Sequence, residues 1–444
     1  MASAAEQLAA NINWSAFSKA DELKKRIWFT LGALVIYRLG TYIPMPGINP
    51  DAYQQAFGSQ SQGIVGLFNM FSGGAVGRMA IFALAIMPYI SASIIIQLLT
   101  TVVPSLEALK KEGEAGRKVI NQYTRYLTVV LATLQAYGIA VGLEGGQNIV
   151  ANPGLFFRIS TTITLVGGTM FLLWLGEQIT SRGIGNGTSL IIQSGIVAEF
   201  PLHLAQTFEM GRTGAINQAF LFFVLLVAVL VVLAIVFFER AQRRLLVQYP
   251  KRQVGNRLYE GQSSHLPLKL NASGVIPPIF ASSLLLLPTT VAQFMSKNDP
   301  NSWLGNVQIY VGHGKPLYMV LYALLIVFFC FFYTAIVLNP VETADNLKRH
   351  GGFLPGIRPG ENTAKHIDYV LTRITVIGAL YIAVVCLLPE IMVSYAAIPF
   401  VLGGTSLLIT VSVAMDTLSQ VHGHLLAHQY EGLVRKTKLK GSRR

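Results

Sequence analysis

Residues 219–238 carry no Lys, Arg, Asp or Glu, and comparable uncharged apolar runs recur along the 444-residue chain. A helix of about 20 such residues crosses the hydrocarbon core of a bilayer. Inside lipid every backbone N–H and C=O must find an internal partner, which leaves helices or closed barrels as the only spanning structures. Composition agrees: 12% of residues are charged, against about 25% in soluble domains. The expected fold class is an all-α polytopic membrane protein. Apolar windows fall at 27–43, 79–103, 126–143, 159–175, 188–200, 219–238, 274–294, 317–338, 369–388 and 400–418. The fifth is short, so it either recruits residues 201–205 or crosses a thinned or protein-lined region.

Basic residues give the orientation. With the N-terminus inside, 28 of the 34 Lys and Arg fall in inner loops and tails. That bias sets both termini on the cytoplasmic side and requires an even number of spans, which ten satisfies. The polar start, Asp21-Glu-Leu-Lys-Lys-Arg26, and the long first apolar run argue against a cleavable signal peptide.

Two segments recur inside these runs. Ile86-Met-Pro88-Tyr-Ile90-Ser-Ala-Ser93 returns as Val275-Ile-Pro277-Pro-Ile279-Phe-Ala-Ser282, and Gly187-Thr-Ser-Leu-Ile-Ile192 returns as Gly404-Thr-Ser-Leu-Leu-Ile409. They fall in spans 2 and 7 and in spans 5 and 10. Five spans per copy is odd, so the copies enter from opposite sides. The expectation is two inverted five-helix repeats around a central pathway. The expected organisation is a cytoplasmic amphipathic segment over 1–26 and a first half over 27–210. A second half covers 211–421, with long cytoplasmic loops at 239–273 and 339–368, and a basic tail covers 422–444.

Ile86 and Ile90 share a helix face, and Ile279, Ile192 and Ile409 occupy related repeat positions. Either these isoleucines face lipid or the core, or they form a neutral constriction that gates by dewetting. The ionisable residues counted within spans are Arg38 and Asp416, with Glu177, Arg373 and Glu390 near span ends. An ion-coupled transporter of a small solute is the alternative class, but it ordinarily buries ionisable relays. Pro88 and Pro277 are expected to kink their helices as a matched pair. Between spans 1 and 2, the Gly-rich stretch from Gly58 to Gly74 is too short to span and too apolar at 64–71 for a solvated loop. It reads as a movable half-helix.

Two inner loops are basic. Arg240, Arg243, Arg244, Lys251, Arg252 and Arg257 lie in one, and Arg358 stands between Pro-Gly pairs in the other. Basic loops attract anionic lipid, or dock a large anionic partner such as ribosomal RNA or an acidic motor surface. No phosphate loop or His-Glu-x-x-His motif occurs. Cys330 and Cys386 lie in apolar runs, and His422, His424 and His428 lack acidic or cysteine company, so no metal or other cofactor is expected.

Phe68-Asn-Met-Phe-Ser-Gly-Gly74, Met87-Pro-Tyr-Ile-Ser-Ala-Ser-Ile-Ile-Ile-Gln97, Arg182-Gly-Ile-Gly-Asn-Gly187, Pro355-Gly-Ile-Arg-Pro-Gly360 and Gly403-Gly-Thr-Ser-Leu-Leu-Ile409 together resemble the SecY family. Its members are pore-forming subunits of the Sec translocon. The resemblance implies a ten-helix protein-conducting channel of the bacterial inner membrane, without catalytic activity, that works with SecE, SecG and the SecA motor or a translating ribosome. Its substrates would be signal sequences and unfolded polypeptides, with anionic lipids and further membrane-insertion factors as companions. It implies a pore ring of Ile86, Ile90, Ile192, Ile279 and Ile409, and a plug containing Ile64, Leu67, Phe68, Asn69, Met70, Phe71, Ser72 and Gly73. It implies a lateral gate with Pro88, Ser91, Ser93, Gln97, Pro277, Ser282 and Ser283, and docking through Arg240, Arg243, Arg244, Lys251, Arg252, Arg257 and Arg358. Ala85 replaces a glycine common in the family, with little consequence expected.

Overall fold

Uncharged runs become helices whose outward faces stay apolar, because their solvent is lipid. The computed structural model describes residues 21–60, 64–145, 149–214, 217–250, 252–254, 257–259, 263–285, 315–396 and 404–441. The described chain forms two compact units, Met1–Leu204 with Val413–Arg444, and Ala205–Ser412. Among the described residues, five helices are long and apolar enough to cross a membrane, and one helix pair bent by 97° makes a sixth span if it is counted as one.

In the first unit, α1 (Asp21–Gly40) starts in the charged segment and continues without a break into the first apolar run. Its buried residues, Leu23, Thr30, Ala33, Tyr37 and Gly40, repeat at three, four or seven positions. Trp28, Leu31, Val35 and Leu39 are exposed on the remaining surface. Then come α2 (Pro50–Gln60), α3 (Ile64–Phe71), α4 (Met87–Val102), α5 (Pro104–Lys111), α6 (Glu114–Glu144), α7 (Leu155–Arg182) and the start of α8 (Gly187–Arg212). α6 buries Gly116, Thr124, Thr128, Ala132, Ala136 and Ala140, a small-residue stripe that lets α4 and α7 approach closely. α8 continues past Pro201 to Arg212. The short fifth window therefore lengthens by recruiting the residues after it.

The second apolar window is not one helix. Residues 72–86 make turns, and α4 begins only at Met87, with Pro88 in its first turn. Pro277 likewise stands in the first turn of α10 (Ile276–Leu285). The expected pair of kinks is therefore a pair of helix starts. A first-turn N–H has no carbonyl partner within the helix, so proline costs nothing there and its fixed φ favours initiation. Residues 286–294 of that window lie outside the described residues.

The second unit holds α9 (Gln218–Arg240), four strands, α10, α11 (Pro316–Val337), α12 (Pro340–Arg349), α13 (Glu361–Ala396) and the start of α14 (Gly404–Gly441). Asn217 and Asn339 cap α9 and α12, their side-chain oxygens accepting from Ala219 N and Val341 N, each at 3.1 Å. The basic loop after α9 is a β-ribbon, which the reading of the sequence as all-helical did not anticipate. β1 (Gln242–Gln248) pairs antiparallel with β4 (Ser263–Lys269), and β2 (Arg252–Val254) with β3 (Arg257–Tyr259). Leu245 and Val247 turn inward while Leu246 between them is exposed, the period-two burial of a half-buried strand. They join Leu268, Leu354, Ile367, Leu371 and Ile374 in one cluster.

Both repeated Gly-Thr-Ser segments begin helices that press on the preceding long helix of their unit. A β-carbon on Gly187 would collide with the Gly176 carbonyl in α7, and one on Gly404 with the Val385 carbonyl in α13. The repeats thus mark the same construction twice, a glycine-enabled close crossing.

Candidate functional site

α3 ends in a turn that the sequence demands. Gly73 and Gly74 both have positive φ (64° and 82°), a region costly for residues with a β-carbon. Asn69 organises this turn: its carbonyl accepts from Gly74 N at 2.8 Å, and its side-chain oxygen accepts from Gly77 N at 2.7 Å. Ser72 Oγ donates to Asn69 O and accepts from Val76 N. Met70, Phe71 and Ser72 are buried. The side chains of Ile64, Leu67 and Phe68 lie outside the described residues. Tyr53 in α2 donates its hydroxyl to Val76 O at 2.8 Å, and burial pushes its pKa up to about 12.

Charge fixes the turn from outside. Arg38 Nη1 donates to Gly73 O at 2.5 Å, and Arg78 Nη1 reaches the same oxygen at 3.5 Å. Glu199 of α8 pairs with Arg38 Nη2 at 3.5 Å and Arg78 Nη2 at 3.2 Å, its side chain 5% exposed. Both guanidiniums also lie over the Tyr42 ring. Sequence reasoning counted Arg38 but missed Glu199, which falls within the fifth window. The signal was available: an acidic residue inside one apolar window and two arginines bordering others are candidates to pair.

The proposed ring isoleucines divide by burial. Ile86, Ile192 and Ile409 are buried, whereas the repeat mates Ile90 and Ile279 are half-buried. Ile86 caps α4 instead of lying inside it, and its carbonyl accepts from Ile90 N at 3.1 Å. Ile86, Ile90 and Ile192 belong to the first unit, Ile279 and Ile409 to the second.

Of the proposed gate residues, Ser91, Pro88, Pro277, Ser282 and Ser283 are buried. Gln97 Nε2 donates to Ser93 Oγ at 3.3 Å on α4, and Ser282 Oγ donates to Ile279 O at 3.0 Å on α10. The Gln97 side-chain oxygen and Ser283 Oγ are buried without a hydrogen-bond partner. Beside the start of α10, Asn271 Nδ2 donates to Glu239 Oε1 at 2.7 Å, and Ser412 Oγ to the same oxygen at 3.0 Å. This network was also missed, because its members are scattered over 173 residues.

The structure joins the two basic loops. Gln248 N donates to Phe353 O at 2.9 Å and Phe353 N to Gln248 O at 3.0 Å, which ties the β-ribbon to the loop carrying Arg358. Gly352 lies against Val247 and Tyr249. Arg240, Arg243, Arg244 and Arg358 are exposed around this body. Arg358 is held by its backbone, whose carbonyl accepts from Thr363 Oγ1 at 3.0 Å. Lys251 lies outside the described residues, as do the side chains of Arg252 and Arg257. No group of His, Cys, Asp and Glu suited to a metal occurs among the described residues.

The chain resembles known proteins along most of its length. The SecY family model matches residues 80–418. The protein translocase subunit SecY of Rickettsia typhi is 54% identical over 430 residues, covering 96% of this chain and 99% of that protein. SecY of Escherichia coli strain K12 is 54% identical, covering 96% and 97%. Among solved structures, a protein conducting channel matches at TM-score 0.66 and 18% identity, over 90% of this chain and 92% of that one. A SecY channel studied for its plug domain matches at TM-score 0.63 with the same identity and coverage. Sec61 from a canine ribosome-channel complex does likewise, at 0.63. At 18% identity these structures share the fold, and the sequence relatives supply the kinship. The chain belongs to the SecY family.

Proposed function

We propose that this chain is the channel subunit of a bacterial protein translocase, passing unfolded polypeptides across the cytoplasmic membrane and releasing apolar segments sideways into lipid. The observation that carries this reading is 54% identity to a SecY translocase subunit over nearly the full length of both chains. Ile86, Ile90, Ile192, Ile279 and Ile409 form the neutral ring in this reading. An apolar ring without fixed charge passes acidic and basic segments alike, because neither is trapped. Residues 64–74 are the plug; the related SecY plug is described as stabilising the closed state and maintaining a membrane seal. α4 and α10 bound the lateral gate.

Arg358 and the β-ribbon are the docking platform. Its backbone ties and apolar cluster fix the backbone that carries Arg243, Arg244 and Arg358, which supports recognition of an acidic motor or ribosomal RNA. The ribosome-bound Sec61 channel supports that use. SecE and SecG accompany the chain, SecA hydrolyses ATP, and both termini face the cytoplasm.

The test is reconstitution of the chain with SecE and SecG into proteoliposomes, with SecA, ATP and an unfolded preprotein outside. Protease-protected preprotein should accumulate only with the full set. Vesicles that protect none would reject the channel reading. Arg358→Glu should assemble normally yet lose transport, and normal transport in that variant would remove Arg358 from the docking surface.

A further inference from the structure

We propose that Glu199 is a positioning residue that latches the plug, holding the turn after α3 in place by pairing at once with Arg38 and Arg78. The inference rests on the plug reading of residues 64–74. Three separate parts of the first unit meet here: the outer end of α1, the turns before α4, and α8. A buried carboxylate persists only where cations and hydrogen bonds replace its lost hydration. Two guanidiniums against one carboxylate leave a surplus positive charge. That surplus is met by the Gly73 carbonyl, which accepts from both arginines, and by the Tyr42 ring, 4.9 Å and 4.3 Å from the two guanidinium carbons. The backbone of the turn is thereby a working part of the charge balance.

The fit is close as well as charged. A β-carbon on Gly74 would collide with Glu199 Oε1 and crowd the Arg78 guanidinium. With Glu199 neutral, two guanidiniums crowd one carbonyl with no anion between them. Each gains by swinging toward water, since they are 27% and 30% exposed, and the tie to Gly73 goes with them. The carboxylate thus sets the position of the turn through the arginines, without touching the passenger.

The experiment compares resting ion conductance in planar bilayers for the intact complex, Glu199→Gln, deletion of residues 64–71, and the two combined. Loss of one partner from a buried ion pair should lower the closed-to-open ratio at least about tenfold. Glu199→Gln is therefore expected to leak, and to add nothing to the leak of the deletion. Non-additivity is the readout that a general loss of packing would not give. A tight Glu199→Gln channel alongside a leaky deletion would overturn the latch and leave the plug standing. Additive leaks would also overturn the latch. A tight deletion would overturn both. If Glu199→Gln does not assemble, Arg78→Gln breaks the shorter pair while sparing Arg38–Gly73, and the same outcomes decide.

Discussion

Ala85 has φ of +47°, and it directly precedes Ile86, the cap of α4. Left-handed backbone costs a residue with a β-carbon about 1–2 kcal/mol, and glycine avoids that cost. The sequence suggests little consequence from alanine here, but it names the residue and not the φ it adopts. Ala85→Gly should raise stability by about 0.5–1 kcal/mol, the strain relieved less the extra freedom of the unfolded chain. Thermal unfolding of the purified complex in detergent measures it, and an unchanged or lowered midpoint would contradict the strain argument. Glu199 makes a related point. Its residue type and its place in an apolar window were visible, yet its partners come from positions 38 and 78, and only the folded chain brings them together.

The repeated segments were legible as repeats, but their mechanical meaning was not. Proline within an apolar window suggests a kink, and only the turns over residues 72–86 reveal that Pro88 starts a helix. The β-ribbon shows the converse. Its inward pattern of Leu245 and Val247 was present in the sequence, but a run of arginines masked it, and its packing partners at Leu354 and Ile367 come from the other loop. The Gly-Thr-Ser copies support a test at this scale. Gly187 and Gly404 each let a helix start against a neighbouring backbone, which cannot shift as a flexible side chain can. Gly404→Ala and Gly187→Ala should each destabilise their unit by about 1–3 kcal/mol, as overpacking does. Gly423→Ala, where a β-carbon meets open space, is the control. Protease resistance of the three variants in membranes ranks them, and equal resistance would refute the close-crossing account.

For the whole molecule, helical class and membrane residence follow from uncharged runs, because lipid leaves the backbone few options. A conducting path is harder to read, since no single segment announces it. Burial narrows the choice among the isoleucines. Ile86 and Ile409 are each 1% exposed, so trimming either leaves a cavity. Ile90 and Ile279 are half-buried repeat mates on α4 and α10, and retain surface with which to line a passage. If the passage is sealed by apolar contact, trimming both to glycine removes the dewetted constriction, whereas trimming Ile86 or Ile409 mainly opens a cavity in the core, costing about 2–5 kcal/mol of stability. The two effects separate experimentally. With residues 64–71 deleted, Ile90→Gly with Ile279→Gly should raise ion conductance beyond either single change and lower stability only by the helix-propensity cost of glycine, about 1 kcal/mol per site. Ile86→Gly and Ile409→Gly should lower the midpoint first. Conductance that follows Ile86 and Ile409 instead would move the constriction to the buried pair, and would make α4's start, not its first exposed turn, the narrow point of the path.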